Sequence, residues 1–337
     1  MAARLRPGRL RALNYAADIP ALLPLLRDTF VRAREDPADA QTLRHLARAA
    51  AHAPQGPTTE AQARRGRVPF FGWVWEDAGR VVGLIALLGV SGRPPRYVFA
   101  NIVVHPDYRG RGIGRALVRH ALAYVRARRA EAWLEVEEDN LPARRLYRSL
   151  GFVDSDRRVD WRYSLAVRAT RALAPEVTVR PLQGRDAARV AAWLEAAYPR
   201  AYQWRWPPQP LARTMRPGWL GRWYRLWAGA LGARLWMIEE GGQPVGVWAW
   251  WPEPGSVQRT LYLAASEMLS PAGIRAGLHA VAQVLRPVWM FDAATAEMAD
   301  MPYHLYLNLP PERHAAALTQ SGWQRVRVVW WMRFAGG

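Results

Sequence analysis

The stretch HPDYRGRGIGRALV, residues 105–118, sets two arginines and three glycines within six residues, directly before an apolar helical run. Residues 98–104, VFANIVV, are mostly apolar and β-branched and suit a buried strand. His105, Pro106 and Asp107 end that strand. Ile113, Ala116, Leu117, His120, Ala121, Tyr124 and Val125 then recur at helical spacing. The glycines therefore lie between a strand and a helix N-terminus. Such a junction suits an anion, because free amide hydrogens point out of the first turn and the helix dipole favours negative charge. Glycine lets the backbone approach closely where a Cβ would intrude, and Arg109, Arg111 and Arg115 can add charge-assisted contacts. The expected guest is a phosphate or a pyrophosphate. Two familiar phosphate loops do not fit. A Gly-Lys-Ser/Thr loop needs a lysine, and the chain has none; a dinucleotide fingerprint begun at Gly110 ends on Arg115 where a third glycine should stand.

Further chemistry-bearing residues follow in WLEVEEDNLPARRLYRSLGF, residues 133–152: a strand, Asn140, a short helix with Tyr147, then Gly151 and Phe152. With Arg109-x-x-Gly112-x-Gly114, this resembles the GNAT superfamily of acyl-CoA-dependent N-acyltransferases. The family's pyrophosphate motif R/Q-x-x-G-x-G/A is matched at those three positions. Its N-x-x-A-x-x-L-Y-x-x-x-G-F motif is matched by Asn140, Ala143, Leu146, Tyr147, Gly151 and Phe152. The resemblance covers about residues 8–166. It implies acetyl-CoA as acyl donor, an amine as acceptor, direct transfer and no metal. It also implies that Ile102, Val103 and Val104 offer backbone groups to the pantetheine arm, that Arg109, Gly110, Arg111, Gly112, Ile113 and Gly114 wrap the phosphates, and that Asn140 lies beside the pantetheine or thioester.

Acyl transfer requires a neutral amine and a protonated leaving thiol. A lysine amine has a pKa of about 10.4, an α-amine about 7.7–8.0 and a thiol about 8.5, so a base and an acid are both useful; a phenol of about 10 can supply the proton. The resemblance assigns the acid to Tyr147, although Ala143, Leu146 and Leu150 share its apolar helix face and packing alone could account for it. Glu135 is the candidate base, standing five residues before Asn140. Glu137 shares its strand face and Glu138 and Asp139 follow, so the choice among carboxylates stays open, as does a plain solvated role. Asn140 also reads as a helix N-cap before Leu141 and Pro142. For His105 a loop-polar role is preferred over catalysis.

These residues need a scaffold. The spacing predicts strands at 9–14, 70–76, 80–89, 96–104, 131–137, 152–156 and 159–166, and helices at 18–33, 112–129 and 141–149, with a charged stretch to about 67 that is partly helical. Part of this pattern repeats. WVWEDAGRVVGLIALL from Trp73 and WMIEEGGQPVGVWAWW from Trp236 both read strand, acidic-glycine turn, strand. RLRALNYAADIPALLPLL (9–26) and VTVRPLQGRDAARVAAWL (177–194) each give a strand, a helix-cap candidate (Asp18 or Asp186) and an amphipathic helix. NLPARRLYRSLGF (140–152) has a looser echo in NLPPERHAAALTQSGW (308–323). The reading is α/β (α+β): two tandem GNAT-like domains, each a mixed, mostly antiparallel sheet flanked by helices, with residues 1–167 catalytic and 175–337 degenerate. In the second half Ile274 stands for Arg109, His279 for Gly114 and Leu318 for Tyr147, so phosphate loop and phenol are both missing.

Composition narrows the function. The 337 residues suit two domains. There is no cysteine, hence no disulfide, no thiolate metal site and no cysteine nucleophile. The net charge of +19 rests on arginine alone. An anionic partner, nucleic acid included, would suit it, but a composition bias replacing lysine is preferred, since arginines occur along most of the chain. Most of the 18 tryptophans fall in the second half, several in the Arg/Trp/Pro-rich stretch 202–227. That stretch reads as a core or interface cluster before it reads as a nucleic-acid surface. Apolar runs reach about ten residues where a membrane helix needs about 20, and the basic start lacks a signal-peptide core, so a cytoplasmic protein without membrane contact is expected. A homodimer stays open, as do two other functions: an acyl-CoA-binding sensor or scaffold, and an RNA- or ribosome-associated binding protein. The acceptor is left as a small molecule or a protein N-terminus.

Overall fold

The computed structural model describes residues 8–29, 37–165, 174–199, 204, 234–250, 259–291 and 303–336. The expected domain junction at 168–176 and the Arg/Trp/Pro-rich stretch 202–227 therefore lie almost wholly outside the described residues. The chain divides into two compact units, residues 1–156 with 330–337, and residues 157–329.

The first unit runs β1 (Arg9–Ala12), α1 (Tyr15–Thr29), α2 (Pro37–Ala51), α3 (Glu60–Arg64), β2 (Phe71–Asp77), β3 (Arg80–Val90), β4 (Arg96–Val104), α4 (Ile113–Arg126), β5 (Glu131–Glu137) and α5 (Leu141–Ser149), and enters β6 (Phe152–Leu165). Its sheet is ordered β1-β2-β3-β4-β5. Neighbours are antiparallel except β4 and β5, which are parallel and joined through α4. Beyond β5 lies the 330–334 part of β12 (Gln324–Phe334), then the start of β6. The two expected strands at 152–156 and 159–166 are thus one continuous strand.

Both faces of this sheet are buried. On one, α4 and α5 cover Ile85, Leu87, Phe99, Leu134 and Val136. On the other, α1 and α2 cover Val74, Leu84, Ala86 and Val103. Strand alternation sorts β5 accordingly: Ala132, Leu134 and Val136 face α4 and α5, so Trp133, Glu135 and Glu137 face the other way.

The second unit repeats the succession: β7 (Val177–Pro181), α6 (Ala187–Ala197), β8 (Arg234–Glu240), β9 (Gln243–Trp250), β10 (Arg259–Ala265), α7 (Pro271–Phe291), β11 (Tyr303–Leu309), α8 (Ala315–Gln320) and β12. Its strands lie in the order β7-β8-β9-β10-β11, with Val159–Leu165 of β6 antiparallel to β11. A partly buried ion-pair cluster is repeated as well. Arg11 meets Asp18 at 2.7 Å and Glu76 at 2.6 Å; Arg180 meets Asp186 at 2.7 Å and Glu239 at 2.8 Å. Of the two residues expected as helix caps, Asp186 stands at the N-cap position of α6 and joins a capping box with Gln183, and Asp18 lies in the first turn of α1. Their carboxylates accept from the backbone N–H of Asn14 and Gln183 as well as from the arginine.

Candidate functional site

The loop between β4 and α4 is shaped by its glycines. After a short turn at Pro106–Tyr108, Gly110 and Gly112 take φ of +76° and +80°, the left-handed region that side-chain-bearing residues avoid. A Cβ on either would meet nothing within 4 Å, so backbone conformation and not crowding demands glycine there. Gly112 is the N-cap of α4, has no side chain to accept from the helix, and no acidic residue stands in the first turn. The opening amides of α4 thus face open space with a partial positive charge. Gly114 differs: its Cβ would lie 3.6 Å from Leu146 Cδ2 and 3.8 Å from Val104 Cγ2, ordinary packing distances.

The arginines brace this loop. Arg109 Nε donates to the Val104 carbonyl at 3.1 Å, Arg111 Nη2 to the Asp107 carbonyl at 2.8 Å, and Arg115 Nη2 to Ser149 Oγ at 2.9 Å. The Arg111 guanidinium also lies 4.9 Å over the Tyr108 ring. His105 belongs to the same brace: Nε2 stands 2.9 Å from Arg80 Nη2 and the ring is edge-on to Tyr108.

Beside the loop the sheet comes apart. β4 pairs with β5 only from Arg96↔Glu131 to Phe99↔Leu134, while it pairs with β3 as far as Val104. A bulge sets the change. The register against β3 shifts between Leu84 and Ala86, and Asn101 takes a φ of +49°. Residues 100–104, with Ile102, Val103 and Val104 among them, therefore pair with no strand on the β5 side, the Val104 carbonyl accepting from Arg109. This edge is a ready acceptor and donor row for an extended ligand.

Two candidate side chains lie on opposite faces of the sheet. Tyr147, on α5, is 6 % exposed, edge-on to Phe152 at 6.1 Å, and lies on the α4 side with Leu134 and Val136. Burial pushes its hydroxyl well above the usual phenol range, so it stays protonated at neutral pH. Glu135 is half-buried, directly past the last β4–β5 pair, on the other face. Glu137 shares that face. Glu138 has a structural use, accepting from Trp330 Nε1 at 3.2 Å, and Asp139 is exposed. Asn140 caps α5 as expected, its Oδ1 accepting from the Ala143 N–H at 3.2 Å.

The strand bulge at Asn101 and the residues of β12 beside β5 were not foreseen. A residue with a positive φ inside an apolar strand leaves no compositional mark beyond being an asparagine. Among the described residues no cluster of His, Asp or Glu could hold a metal ion, and no helix is long and apolar enough to cross a membrane.

Residues 31–152 match the model of the Acetyltransferase (GNAT) family. Curated relatives are similar over shorter stretches. The N-alpha-acetyltransferase RimI of Mycobacterium tuberculosis is 44 % identical over 77 residues, 23 % of this chain and 48 % of that protein. The streptothricin acetyltransferase of Streptomyces lavendulae is 44 % identical over 68 residues, 20 % of this chain and 36 % of that protein. The [ribosomal protein bS18]-alanine N-acetyltransferase of Escherichia coli strain K12 is 49 % identical over 53 residues, 15 % of this chain and 36 % of that protein. The chain thus spans about a third to a half of the length of these relatives. Among solved structures, a GCN5-related N-acetyltransferase from Sphaerobacter thermophilus aligns with 98 % of this chain and 96 % of its own, at a TM-score of 0.54 and 15 % identity, a likeness of fold.

Proposed function

We propose, from the match of residues 31–152 to the GNAT acetyltransferase family, that the chain is an acyl-CoA-dependent N-acetyltransferase whose active site is the gap between β4 and β5. One observation carries the reading. The edge 100–104, paired with no strand on the β5 side, leads directly into a helix start built on Gly110 and Gly112, with a buried, protonated phenol on the helix that follows β5. An extended thioester ending in a pyrophosphate fits that sequence of features: backbone edge for the pantetheine, amides for the phosphates, phenol near the sulfur.

Acetyl-CoA would supply the acyl group as a thioester. The amides of residues 110–114 bind its pyrophosphate, and Arg109 and Arg111 hold the loop in the shape that exposes them. Ile102, Val103 and Val104 align the pantetheine through their backbone groups. Glu135 takes the proton that the amine must lose in forming the new C–N bond. Tyr147 gives its hydroxyl proton to the sulfur as the C–S bond breaks, and solvent restores it. Acid and base thus act from opposite faces of one sheet, with the acceptor entering on the face of Glu135. Asn140 holds α5, and with it Tyr147, at the end of β5.

The acceptor is a primary amine, on a small molecule or a protein N-terminus; the similar proteins named above include both an antibiotic acetyltransferase and protein N-terminal acetyltransferases. The second unit is a duplicated copy that lacks the phosphate loop and the phenol. The repeated Arg11–Asp18–Glu76 and Arg180–Asp186–Glu239 clusters support that origin.

Calorimetric titration with coenzyme A, followed by thiol release from acetyl-CoA over a panel of amines, tests the reading. Binding with turnover on at least one amine is expected. No heat of binding would remove the coenzyme, and binding without turnover on any amine would leave a sensor.

A further inference from the structure

The second unit keeps the outline of the same site and fills it with its own side chains. We propose that Glu240 and Arg313 are built-in occupants of the positions where the first unit takes its coenzyme, so that the chain binds one coenzyme molecule, at residues 102–114. The stoichiometry rests on the reading of the first unit given above.

The helix start comes first. α4 opens on Gly112 with no side-chain cap. α7 opens on Ser270 and Pro271. Proline has no N–H to offer. Ser270 Oγ accepts from the N–H of Ala272 at 3.1 Å and of Gly273 at 3.2 Å, and the Ile274 N–H donates to the Ser270 carbonyl at 3.1 Å. Every amide of that first turn is therefore committed inside the protein. Ser270 itself donates its N–H at 3.0 Å and its hydroxyl at 2.9 Å to Glu240 Oε1. A Cβ on Gly273 would run into the same carboxylate. The negative group that a helix N-terminus attracts is already present, covalently attached, and a pyrophosphate would meet its charge.

The strand gap is treated the same way. β10 pairs with β9 as far as Ala265 but with β11 only at Arg259↔Leu305 and Thr260↔Tyr306, so these strands also part. Ala265 stands where Val104 does: the next residue's N–H donates to β9 (Ser266 to Val245, 2.9 Å) as His105 donates to Val82 of β3 (2.8 Å). In the first unit the carbonyl at this place is reached by Arg109, from the same strand's own loop. In the second unit Arg313 comes from the connection between β11 and α8. Its Nη2 donates to the Ala265 carbonyl at 3.0 Å, and its guanidinium pairs with Glu267 at 3.4 Å. A side chain from the β11 side thus bridges the gap. The buried Leu318 stands where the first unit has Tyr147, so that phenol has no counterpart at this position.

Isothermal titration of the full chain with coenzyme A tests this, in the parent protein and in Gly112→Val and Arg109→Ala/Arg111→Ala variants. One site per chain is expected, lost or weakened at least 10-fold in both variants. Hydrogen exchange on the parent protein gives a readout independent of variant folding. Added coenzyme should slow exchange at Ile113–Arg115 and leave Ala272–Ile274 unchanged. Two sites in the parent, or one site surviving in the loop variants with new protection at Ala272–Ile274, would overturn the closure. No heat in any protein would overturn the coenzyme reading of the first unit while agreeing with the closure of the second.

Discussion

The indole N–H of Trp330 donates to Glu138 Oε1 at 3.2 Å, joining residues 192 positions apart. Around this bond the Arg144 guanidinium lies 5.2 Å over the Trp330 ring, Arg333 lies 6.0 Å over Trp133, and the Ala335 N–H donates to the Gly151 carbonyl at 3.0 Å. Phe334 meets Phe152 edge-on at 5.6 Å. The segment 133–152, which carries Glu135 and Tyr147, is therefore braced by residues that follow the whole second unit.

Trp330→Phe should keep most of the packing and lose the hydrogen bond, at a cost of about 1 kcal/mol. Trp330→Ala should cost about 3 kcal/mol or more. Urea midpoints measure both. Turnover of the alanine variant should fall with its stability; a Trp330→Ala protein as stable as the parent would show that the brace is idle.

Tyr147→Phe should lower turnover about 100-fold and leave coenzyme affinity within a factor of about 2, the usual scale for losing one general acid. Burial raises this phenol, so its proton is held more tightly in the folded protein than in the unfolded chain. The stabilisation this contributes is present below the ordinary phenol pKa of about 10 and is lost as pH climbs past it. An alkaline limb of the rate profile assigned to Tyr147 should accordingly lie above pH 10. A limb near pH 8 that vanishes in Tyr147→Phe contradicts the environment described.

The loop glycines should separate cleanly. Gly112→Ala forces a side chain onto a φ of +80° and should cost about 1–2 kcal/mol, read as roughly tenfold weaker coenzyme binding. Gly114→Ala adds a methyl at ordinary contact distance from Leu146 and Val104 and should change little. Equal effects at the two positions would mean that loop conformation is not what binding reads.

Glu135→Gln should depress turnover most at low pH, where the amine is mostly protonated, and added pH should partly restore it. Glu137→Gln should have the smaller effect if Glu135 is the base. A larger effect at Glu137 would move the role two residues along the same strand face.

In the second unit, Arg180 holds the Asp186 carboxyl below the usual carboxylate range, with help from the Gln183 N–H. A depressed carboxyl contributes stability that is complete above its unfolded pKa of about 3.9 and is lost as pH falls below it. Asp186→Asn should therefore flatten the acid side of the stability curve and cost about 1–2 kcal/mol near neutrality, because Arg180 keeps Glu239 as its partner. Chemical denaturation between pH 3 and pH 7 measures the difference.

The elements that hold the candidate site residues were largely legible because they are local. A strand, a glycine turn and a helix lie within residues 98–126, and Asn140, Tyr147 and Gly151 within one short helix and its caps. Spacing alone fixes such neighbours. Helix 112–129 and strand 131–137 appear at Ile113–Arg126 and Glu131–Glu137. The positions of Asp18 and Asp186 at helix starts were legible, whereas their pairing with Arg11 and Arg180 was not, because a carboxylate there can take backbone amides and a cation together. The parting of β4 from β5 has no periodic signature, since β4 stays mostly apolar past Phe99 and β5 keeps its alternation, with Val136 buried, past Leu134 where pairing stops. The brace by Trp330 was beyond any local pattern, because its partner is far away in sequence and an aromatic-rich strand reads the same wherever it pairs.

Strand β12 begins among the residues of one unit and ends among those of the other. During synthesis, then, the earlier half of the chain must wait with its sheet unfinished until more than 170 further residues have been made, of which Arg157–Val329 form the later half. A fragment cut after Leu165 should emerge with a bare edge on β5 and a loosened Tyr147 helix, and should aggregate; supplying residues 324–336 as a separate peptide should rescue it.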